Sequence, residues 1–378
     1  MFRVVSFILN ISMEHFFRII GAIIGLLRAE KRQLVNRYFG EVERFEGNAR
    51  SICRQIVEKL WEGDFYRTSL GHYDFFWMRD FGTVAEALMK IGNEKEVRHT
   101  LKWAMHHYRK AGVVKLCIDK SGNVFNAPAQ SIDALPWLLH SLVVSDYELI
   151  KVERVFLKKQ LAMYCKTFLD QNGQMKKMHV GEMRDAVIYD RSAYAVTLIA
   201  RMARCVEKLH LEGFPYPSEI YKEKLLAHYW NGTYFKADYA SAAFSAECAL
   251  MPFWLKVITD DQKAAKTFDY IEQHKLNYPY PLKYTDTPEV FKFRFGMGTI
   301  LMPDYAGTTI WSWHAAFYIK LLKKYNRPEY TEMHQRFSHM IEQHGTFPEM
   351  LNPDGSWYYA PIYKSDPGMV WAALYIDL

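Results

Sequence analysis

Residues 181–194, GEMRDAVIYDRSAY, put three acids and two arginines directly before a long run of small and apolar residues. That run keeps a helical period with little side-chain bulk, and both Asp190 and Ser192 are suitable N-caps for it. Asp185 then lies in the loop ahead of a helix, where a reactive carboxylate is expected. The other interpretation is an ordinary capped and ion-paired helix start.

Outward from this stretch, the chain is a succession of helix-length apolar periods with short loops between them. We predict helices near 46–62, 80–91, 94–111, 130–144, 147–169, 190–210, 217–229, 245–257, 260–274, 307–324, 328–344 and 367–376. Helices with small and aromatic faces alternate with more charged ones, which predicts an all-α fold built as a closed double ring. Strand signals are brief, at 113–118 and 232–235, so β elements are confined to the connecting loops.

The composition favours a carbohydrate ligand. The chain has 378 residues, and aromatic side chains make up 16% of them, more than packing usually requires. Aromatic-rich clefts suit polyhydroxylated ligands such as sugars, whose C–H faces stack on rings. The formal charge of +6 is modest and the basic residues are dispersed, which argues against a nucleic-acid-binding surface.

The cysteines indicate a reducing compartment. They are far apart and lie in apolar helical contexts: Cys53, Cys117, Cys165, Cys205 and Cys248. None forms a CxxC motif, so buried free thiols in a cytoplasmic protein are expected rather than disulfides or a zinc site. His106 and His107 are adjacent on a predicted helix and point apart, so they are a poor ligand pair. We predict neither a metal ion nor a cofactor.

The N-terminus is predicted to be an amphipathic surface helix or an extension that packs on the rest of the chain. Residues 1–45 form an amphipathic extension, and residues 46–378 form a single catalytic domain. The apolar runs at 4–11 and 19–27 are separated by charged residues, and each is much shorter than the roughly 20 residues of a membrane span. A weak peripheral membrane contact through residues 1–27 is the open alternative.

Residues 70–82, LGHYDFFWMRDFG, form a second loop rich in polar and aromatic residues. Trp77 and the neighbouring pair Arg79 and Asp80 immediately precede a predicted helix. An aspartate next to an arginine beside aromatic rings can hold two sugar hydroxyls at once. The alternative is that Asp80 is an N-cap with a neighbouring ion pair.

Two late loops complete the set of candidate site residues. The loop DYAGTTIWSWHAAFY contributes Trp311 and Trp313, and GTFPEMLNPDGSW, residues 345–357, contributes Glu349 ahead of a tight turn. Glycoside hydrolysis needs one carboxyl to protonate the leaving oxygen and one to activate water. Asp185 and Glu349 would form that pair, whereas the alternative for Glu349 is a solvated loop acid.

The order of these motifs resembles the six-hairpin glycosidases. This superfamily includes glucoamylases, trehalases, processing α-glucosidases and the amylo-α-1,6-glucosidase part of glycogen debranching enzymes. The motifs that carry the resemblance are WMRDFG, QSIDALPWLLHSL, GEMRDAVIYDRSAYA, WNGTYF, GTTIWSWHAAFY, GTFPEMLNPDGS and SDPGMVWAALY. They cover roughly residues 46–378, in order and with similar spacing, and each is short.

The resemblance implies an (α/α)6 barrel and hydrolysis of an α-linked glucoside or oligosaccharide with inversion. By position, it implies that Asp185 is the general acid and Glu349 the general base, with Asp80 as the second choice for the acid. The candidate substrate-binding residues are Trp77, Arg79, Asp80, Gln130, Asp133, Arg184, Trp311 and Trp313.

Two other functions compete with hydrolysis. An inverting phosphorylase of related architecture needs a phosphate pocket and no general base, so Glu349 in a well-formed loop counts against it. A non-catalytic carbohydrate-binding toroid would keep the aromatic residues, and loss of either acid would mark it. Both catalytic candidates are present in this sequence.

Overall fold

The computed structural model describes residues 13–145, 147–184, 187–288 and 298–378. The helices are α1 (Met13–Phe39), α2 (Ala49–Lys59), α3 (Met78–Lys90), α4 (Glu94–Ala111), α5 (Ala134–Ser145), α6 (Tyr147–Phe168), α7 (Ala193–Leu209), α8 (Ser218–Lys224), α9 (Ala246–Trp254), α10 (Asp261–Gln273), α11 (Gly298–Leu301), α12 (Ser312–Lys324), α13 (Tyr330–His344) and α14 (Ala372–Ile376). A π-helical turn, Leu225–Tyr229, continues α8.

Six of these helices close into an inner ring. Helix α3 contacts α5, α5 contacts α7, α7 contacts α9, α9 contacts α12, α12 contacts α14, and α14 returns to α3. The helices between them in the chain, α2, α4, α6, α8, α10 and α13, pack outside this ring. The predicted all-α double ring, an (α/α)6 barrel, is confirmed.

The division into rings follows from the distribution of apolar side chains. In α5, ALPWLLHSLVVS, nearly every side chain is buried, as expected for a helix that is hydrophobic all round and covered on every side. Helix α4 instead buries one stripe that includes Val97, Leu101 and Tyr108. Its other faces carry charged residues, so it lies on the outside.

Some boundaries differ from the sequence prediction. Helix α3 begins at Met78, so Arg79 and Asp80 belong to its first turn rather than to the loop before it, and Asp80 is not the N-cap. The cap of α7 is Ser192, whose Oγ accepts the Ala195 amide proton. The alternative cap Asp190 was wrong, because the backbone enters the helix two residues later.

Short strands lie where the inner helices begin. Strands β1 (Phe76–Trp77), β2 (Cys117–Ile118) and β3 (Val124–Phe125) form one sheet, and β4 (Ile310–Trp311) pairs with β5 (Met350–Leu351). In the second pair Trp311 is opposite Met350, the residue after Glu349. The predicted strand at 232–235 is reduced to one bridge between Trp230 and Phe235.

Helix α1 packs on the barrel. A Cβ atom at Gly25 would lie 2.6 Å from the Phe125 ring, so the helix backbone approaches β3 very closely. Asn36 is buried near the other end of α1. Among the described residues, no helix is both long and apolar enough to cross a membrane. The predicted apolar run at 4–11 lies outside the described residues.

Candidate active site

A cavity opens at the end of the barrel where the inner helices begin. Five of the predicted site residues line it, although they come from distant parts of the chain: Trp77, Arg79, Asp80, Trp311 and Glu349. The volume open to the centres of water molecules is about 40 Å³, compared with roughly 10–15 Å³ for a single water. The cavity is therefore a narrow polar site between aromatic walls.

Glu349 is a buried carboxylate, with a residue exposure of only 2%. It is therefore not the solvated loop acid that the sequence left as an alternative. The Tyr363 hydroxyl lies 2.7 Å from Oε1 and 2.8 Å from Oε2, and the Asp366 amide donates to Oε2 at 3.1 Å. The Glu349 amide in turn donates to the Asp366 carbonyl at 2.9 Å. These contacts fix the orientation of the carboxylate in the cavity wall.

A second buried carboxylate, Asp366, supports this arrangement from behind. His72 lies 2.9 Å from its Oδ1, and Oδ1 also accepts a hydrogen bond from the Asn36 side chain at 3.0 Å. Its Oδ2 accepts from the Ser69 hydroxyl and from the Tyr73 amide. Burial by itself raises the pKa of Asp366, but the charge of His72 and these hydrogen bonds outweigh it and hold the pKa below its ordinary value.

Asp80 is the other acid in the cavity wall. Burial in the first turn of α3 raises its pKa to about 7, and the nearby negative charge of Asp133 adds to the shift. The positive charge of Arg79 opposes it. The pKa of Asp80 therefore lies near neutral pH, a range that is suited to general acid–base chemistry.

Arg79 forms an ion pair with Asp133, in addition to being the neighbour of Asp80 in the sequence. Its Nε donates to Asp133 Oδ2 at 2.5 Å, and Asp133 is fully buried. The hydroxyls of Ser131 and Tyr194 also donate to Asp133. Asp133 does not line the cavity, so its observed contacts orient Arg79 rather than a ligand.

The segment that carries the predicted acid reaches the cavity at Met183. Asp185 itself lies outside the described residues. Arg184 is buried, donates to the Tyr189 hydroxyl at 3.1 Å and lies over the Tyr284 ring. It contributes positive charge next to the cavity without lining it.

Sequence reasoning did not single out Glu182. Burial raises its pKa to about 8, and the negative charges of Asp133, Asp238 and Glu247 add to the shift. Its carboxylate accepts the hydroxyl proton of Ser192, the N-cap of α7. Glu182 is thus an acid that keeps its proton at neutral pH beside the wall residue Met183.

Two further predicted residues lie away from the cavity. Gln130 is exposed, and its carbonyl accepts the Gly181 amide proton at 2.8 Å, which ties two loops together. Trp313 is buried within α12, where its ring packs against Phe317 and Trp371. Neither side chain faces a ligand in this arrangement.

The sequence did not predict the residues that hold Glu349 and Asp366 in place, which are Tyr363, Asp366 itself and Asn36. Asp366 stands in the turn sequence SDPG, a local signal for a tight bend. No local pattern indicates that Tyr363 or Asn36 would reach the same carboxylates. In the part of the chain that the structure describes, no group of three or more His, Cys, Asp or Glu side chains is arranged to hold a metal ion.

Solved glycosidases share this fold. A glycosidase variant in complex with glucose matches with a TM-score of 0.66 and 13% identity, over 94% of this chain and 96% of its own. The GH63 mannosylglycerate hydrolase from Thermus thermophilus, in complex with Tris and D-glycerate, matches with a TM-score of 0.56 and 13% identity, over 87% and 99%. The chain therefore has the same helical toroid fold as these glycosidases, in agreement with the predicted double ring of helices.

No protein-family model matches this sequence, and no curated protein matches it.

Proposed function

We propose that this protein is an inverting glycoside hydrolase that acts on an α-linked glucoside or oligosaccharide. The observation that carries the proposal is the buried Glu349 carboxylate, held by Tyr363 in the wall of a cavity beside Trp77 and Trp311. The similarity in fold to GH63 glycosidases supports the same class of reaction.

Glu349 acts as the general base in this proposal. The Tyr363 hydroxyl lies within hydrogen-bond distance of both oxygens of Glu349. Burial and the negative charge of Glu349 raise the pKa of Tyr363 well above its usual range, so this hydroxyl keeps its proton and remains a donor. The Tyr363 hydroxyl and the Asp366 amide are both donors to Glu349, and such donors favour the ionised form of a carboxyl group. That form can take a proton from the water that attacks the anomeric carbon.

Asp185 acts as the general acid. It follows Met183, a wall residue of the cavity, by two positions in the sequence, and it precedes α7. An inverting enzyme separates its acid and base by about 6.5–9.5 Å so that water fits between sugar and base. Hydrolysis by this pair releases the β-anomer from an α-linked substrate.

Asp80 is the second candidate for the acid, and a specific observation supports it. It lines the same cavity as Glu349, and burial raises its pKa to about 7. A carboxyl that is half protonated at neutral pH is suited to protonating a leaving oxygen. In the first assignment Asp80 and Arg79 instead bind hydroxyl groups of the sugar in the innermost subsite.

Aromatic rings supply the remaining contacts with the substrate. Trp77 and Trp311 line the cavity together with Tyr305, whose ring lies edge-on to that of Trp311 at 5.3 Å. Such faces stack on the C–H groups of a pyranose ring. A glucosyl unit is consistent with the glucose bound to one structural neighbour.

The test of the function is a substrate screen. Purified protein is incubated with α-linked disaccharides and short glucans, with and without inorganic phosphate, and NMR identifies the anomer released first. We expect hydrolysis with initial release of the β-anomer. Release of the α-anomer would contradict inversion, and formation of a sugar phosphate would favour the phosphorylase. Binding without turnover by the wild-type protein would favour the carbohydrate-binding toroid.

A pair of variants separates the two candidates for the acid. Aryl glucosides with good leaving groups need little protonation, so the variant that lacks the acid retains activity on them and loses it on disaccharides. We expect this pattern for Asp185→Asn. Asp80→Asn should weaken both activities together, because contacts with the substrate hydroxyls are lost. The reverse result would assign the acid to Asp80.

A further inference from the structure

A second, larger cavity lies at the opposite end of the barrel. Its volume is about 260 Å³, and it is lined by the later parts of the inner helices, including Lys90 of α3, His140 of α5 and Lys324 of α12. The two cavities are lined by different residues, with Asp80 in the wall of the first and Thr83 to Lys90 in the wall of the second, so the second extends to roughly 15 Å from Asp80 along α3. This basic cavity is therefore distinct from the candidate active site.

The walls of the basic cavity carry a large excess of positive charge. The basic residues that line it are Lys90, Arg201, Lys256, Lys320 and Lys324, and among the described wall residues Glu86 is the acid that opposes them. Glu86 pairs with Lys90 at 2.7 Å, and Asp377 outside the wall pairs with Lys320. Arg201, Lys256 and Lys324 have no acid partner among the described ion pairs. A concave site with this charge concentrates anions.

Helix dipoles explain only part of this charge. Lys90 and Lys324 are in the last turns of α3 and α12, where cations offset the partial negative charge of a helix end. Arg201 is in the middle of α7, where the dipole gives no such benefit. Arg201 is half-buried, and its guanidinium contacts His140 of α5. This position indicates a charge that is held in the cavity wall rather than one that is fully solvated.

His140 supplies an independent observation. It is buried, and its Nδ1 accepts a hydrogen bond from Arg201 Nε at 3.1 Å. Burial and the charge of Arg201 lower the pKa of His140 to about 3, so the ring is neutral and carries its proton on Nε2. Among the described residues this Nε2 has no hydrogen-bond partner. A buried donor without an acceptor is costly, and a ligand in the cavity would supply the acceptor.

We propose that the basic cavity binds a small phosphate-bearing molecule. Its phosphate oxygens accept hydrogen bonds from His140 Nε2 and Arg201 and are neutralised by Lys324 and Lys256, since these groups share the cavity walls. The half-buried ring of Trp254 provides a flat apolar wall for the remainder of the molecule. A concave site of about 260 Å³ suits a small molecule rather than a polymer.

Calorimetric titration tests the proposal on the full chain. Inorganic phosphate, pyrophosphate and glucose 6-phosphate are titrated separately at constant ionic strength, because salt screens exposed charges. We expect saturable binding of one equivalent of at least one of these probes. Tightest binding of glucose 6-phosphate would identify a sugar phosphate, whereas tightest binding of pyrophosphate would identify an inorganic polyphosphate. No saturable binding by any of the three would overturn the proposal.

Matched variants distinguish binding in the cavity from nonspecific attraction of anions to a positively charged surface. Lys324→Gln and Lys323→Gln each remove one positive charge from exposed, adjacent positions of α12, but only Lys324 lines the cavity. We expect Lys324→Gln and Arg201→Gln each to weaken binding about 10-fold, equivalent to about 1.4 kcal/mol, and Lys323→Gln to change it less than about 2-fold. Equal weakening by Lys323→Gln and Lys324→Gln would show nonspecific attraction and reject the site.

Discussion

The Tyr363 hydroxyl lies within hydrogen-bond distance of both oxygens of Glu349, at 2.7 and 2.8 Å. The same hydroxyl lies 2.9 Å from that of Tyr73. A single phenol therefore holds the proposed base and connects it to the loop that precedes α3. The residues that orient Glu349 are as much a part of the site as the carboxylate itself.

Replacing Tyr363 with phenylalanine removes this donor and keeps the ring. A hydrogen bond to a charged group contributes about 1.5–3 kcal/mol, so we expect kcat to fall roughly 10- to 100-fold. The acidic limb of the pH–rate profile should move to higher pH, because the ionised form of the base loses a stabilising contact. Tyr358→Phe is the control, since its hydroxyl donates to the Pro303 carbonyl. An unchanged profile in Tyr363→Phe would contradict the proposed role.

Replacing Glu349 with glutamine keeps the size of the side chain and removes the base. General base catalysis contributes about 10²- to 10⁴-fold, so kcat should fall by that factor for disaccharides and aryl glucosides alike. Steady-state kinetics on both substrate types provide the measurement. The exposed Glu332→Gln serves as the control. Wild-type activity in Glu349→Gln would show that Glu349 is not the general base.

The raised pKa of Asp80 should appear in the stability of the protein. The folded state keeps this proton up to about pH 7, whereas the ordinary pKa is 3.8. Between these values the folded state binds more protons than the unfolded chain, so the free energy of unfolding falls as pH rises, by at most about 1.4 kcal/mol per unit. Above roughly pH 7 this contribution levels off.

Urea unfolding of wild type and Asp80→Asn between pH 4.5 and 8.5, at about unit intervals, measures this contribution. We expect the stability of the variant relative to wild type to rise with pH, because asparagine has no proton to lose. The exposed Asp64→Asn, with a side-chain exposure of 69%, should follow the wild-type curve. Parallel curves for Asp80→Asn and wild type would show that Asp80 ionises normally.

Helix α1 should contribute to the active site through Asn36. Its side chain donates to Asp366 Oδ1 at 3.0 Å and lies 3.1 Å from His72 Nδ1. Asn36→Ala leaves buried groups without a partner, so we expect a loss of about 1–3 kcal/mol in the free energy of unfolding together with a lower kcat. Thermal unfolding and kinetics provide the two measurements.

Gln33→Ala is the matched control for Asn36. Gln33 is on the same helix and makes a longer hydrogen bond, 3.5 Å, to the Ile362 carbonyl. It should change neither stability nor kcat appreciably. If Asn36→Ala leaves kcat unchanged, helix α1 only covers the barrel and does not support the proposed base.

The sequence alone determined the architecture of this protein. Helical periods and the alternation of apolar and charged helices depend on residues three and four positions apart, so they predict twelve helices without any knowledge of long-range contacts. The same local reasoning selected Trp77, Arg79, Asp80, Trp311 and Glu349, because polar and aromatic loops ahead of inner helices meet at one end of such a barrel.

Only the tertiary structure decided which partner each of these residues has. Arg79 pairs with Asp133 across 54 positions of the chain, and Asn36 reaches Asp366 across 330. The first contact depends on the packing of α3 against α5 and the second on the packing of α1 on the barrel, so no local pattern encodes them. Burial then sets the chemistry: Asp80 and Asp366 are the same residue type, but the low polarity around Asp80 favours its proton, while His72, Ser69 and backbone donors stabilise the charge of Asp366.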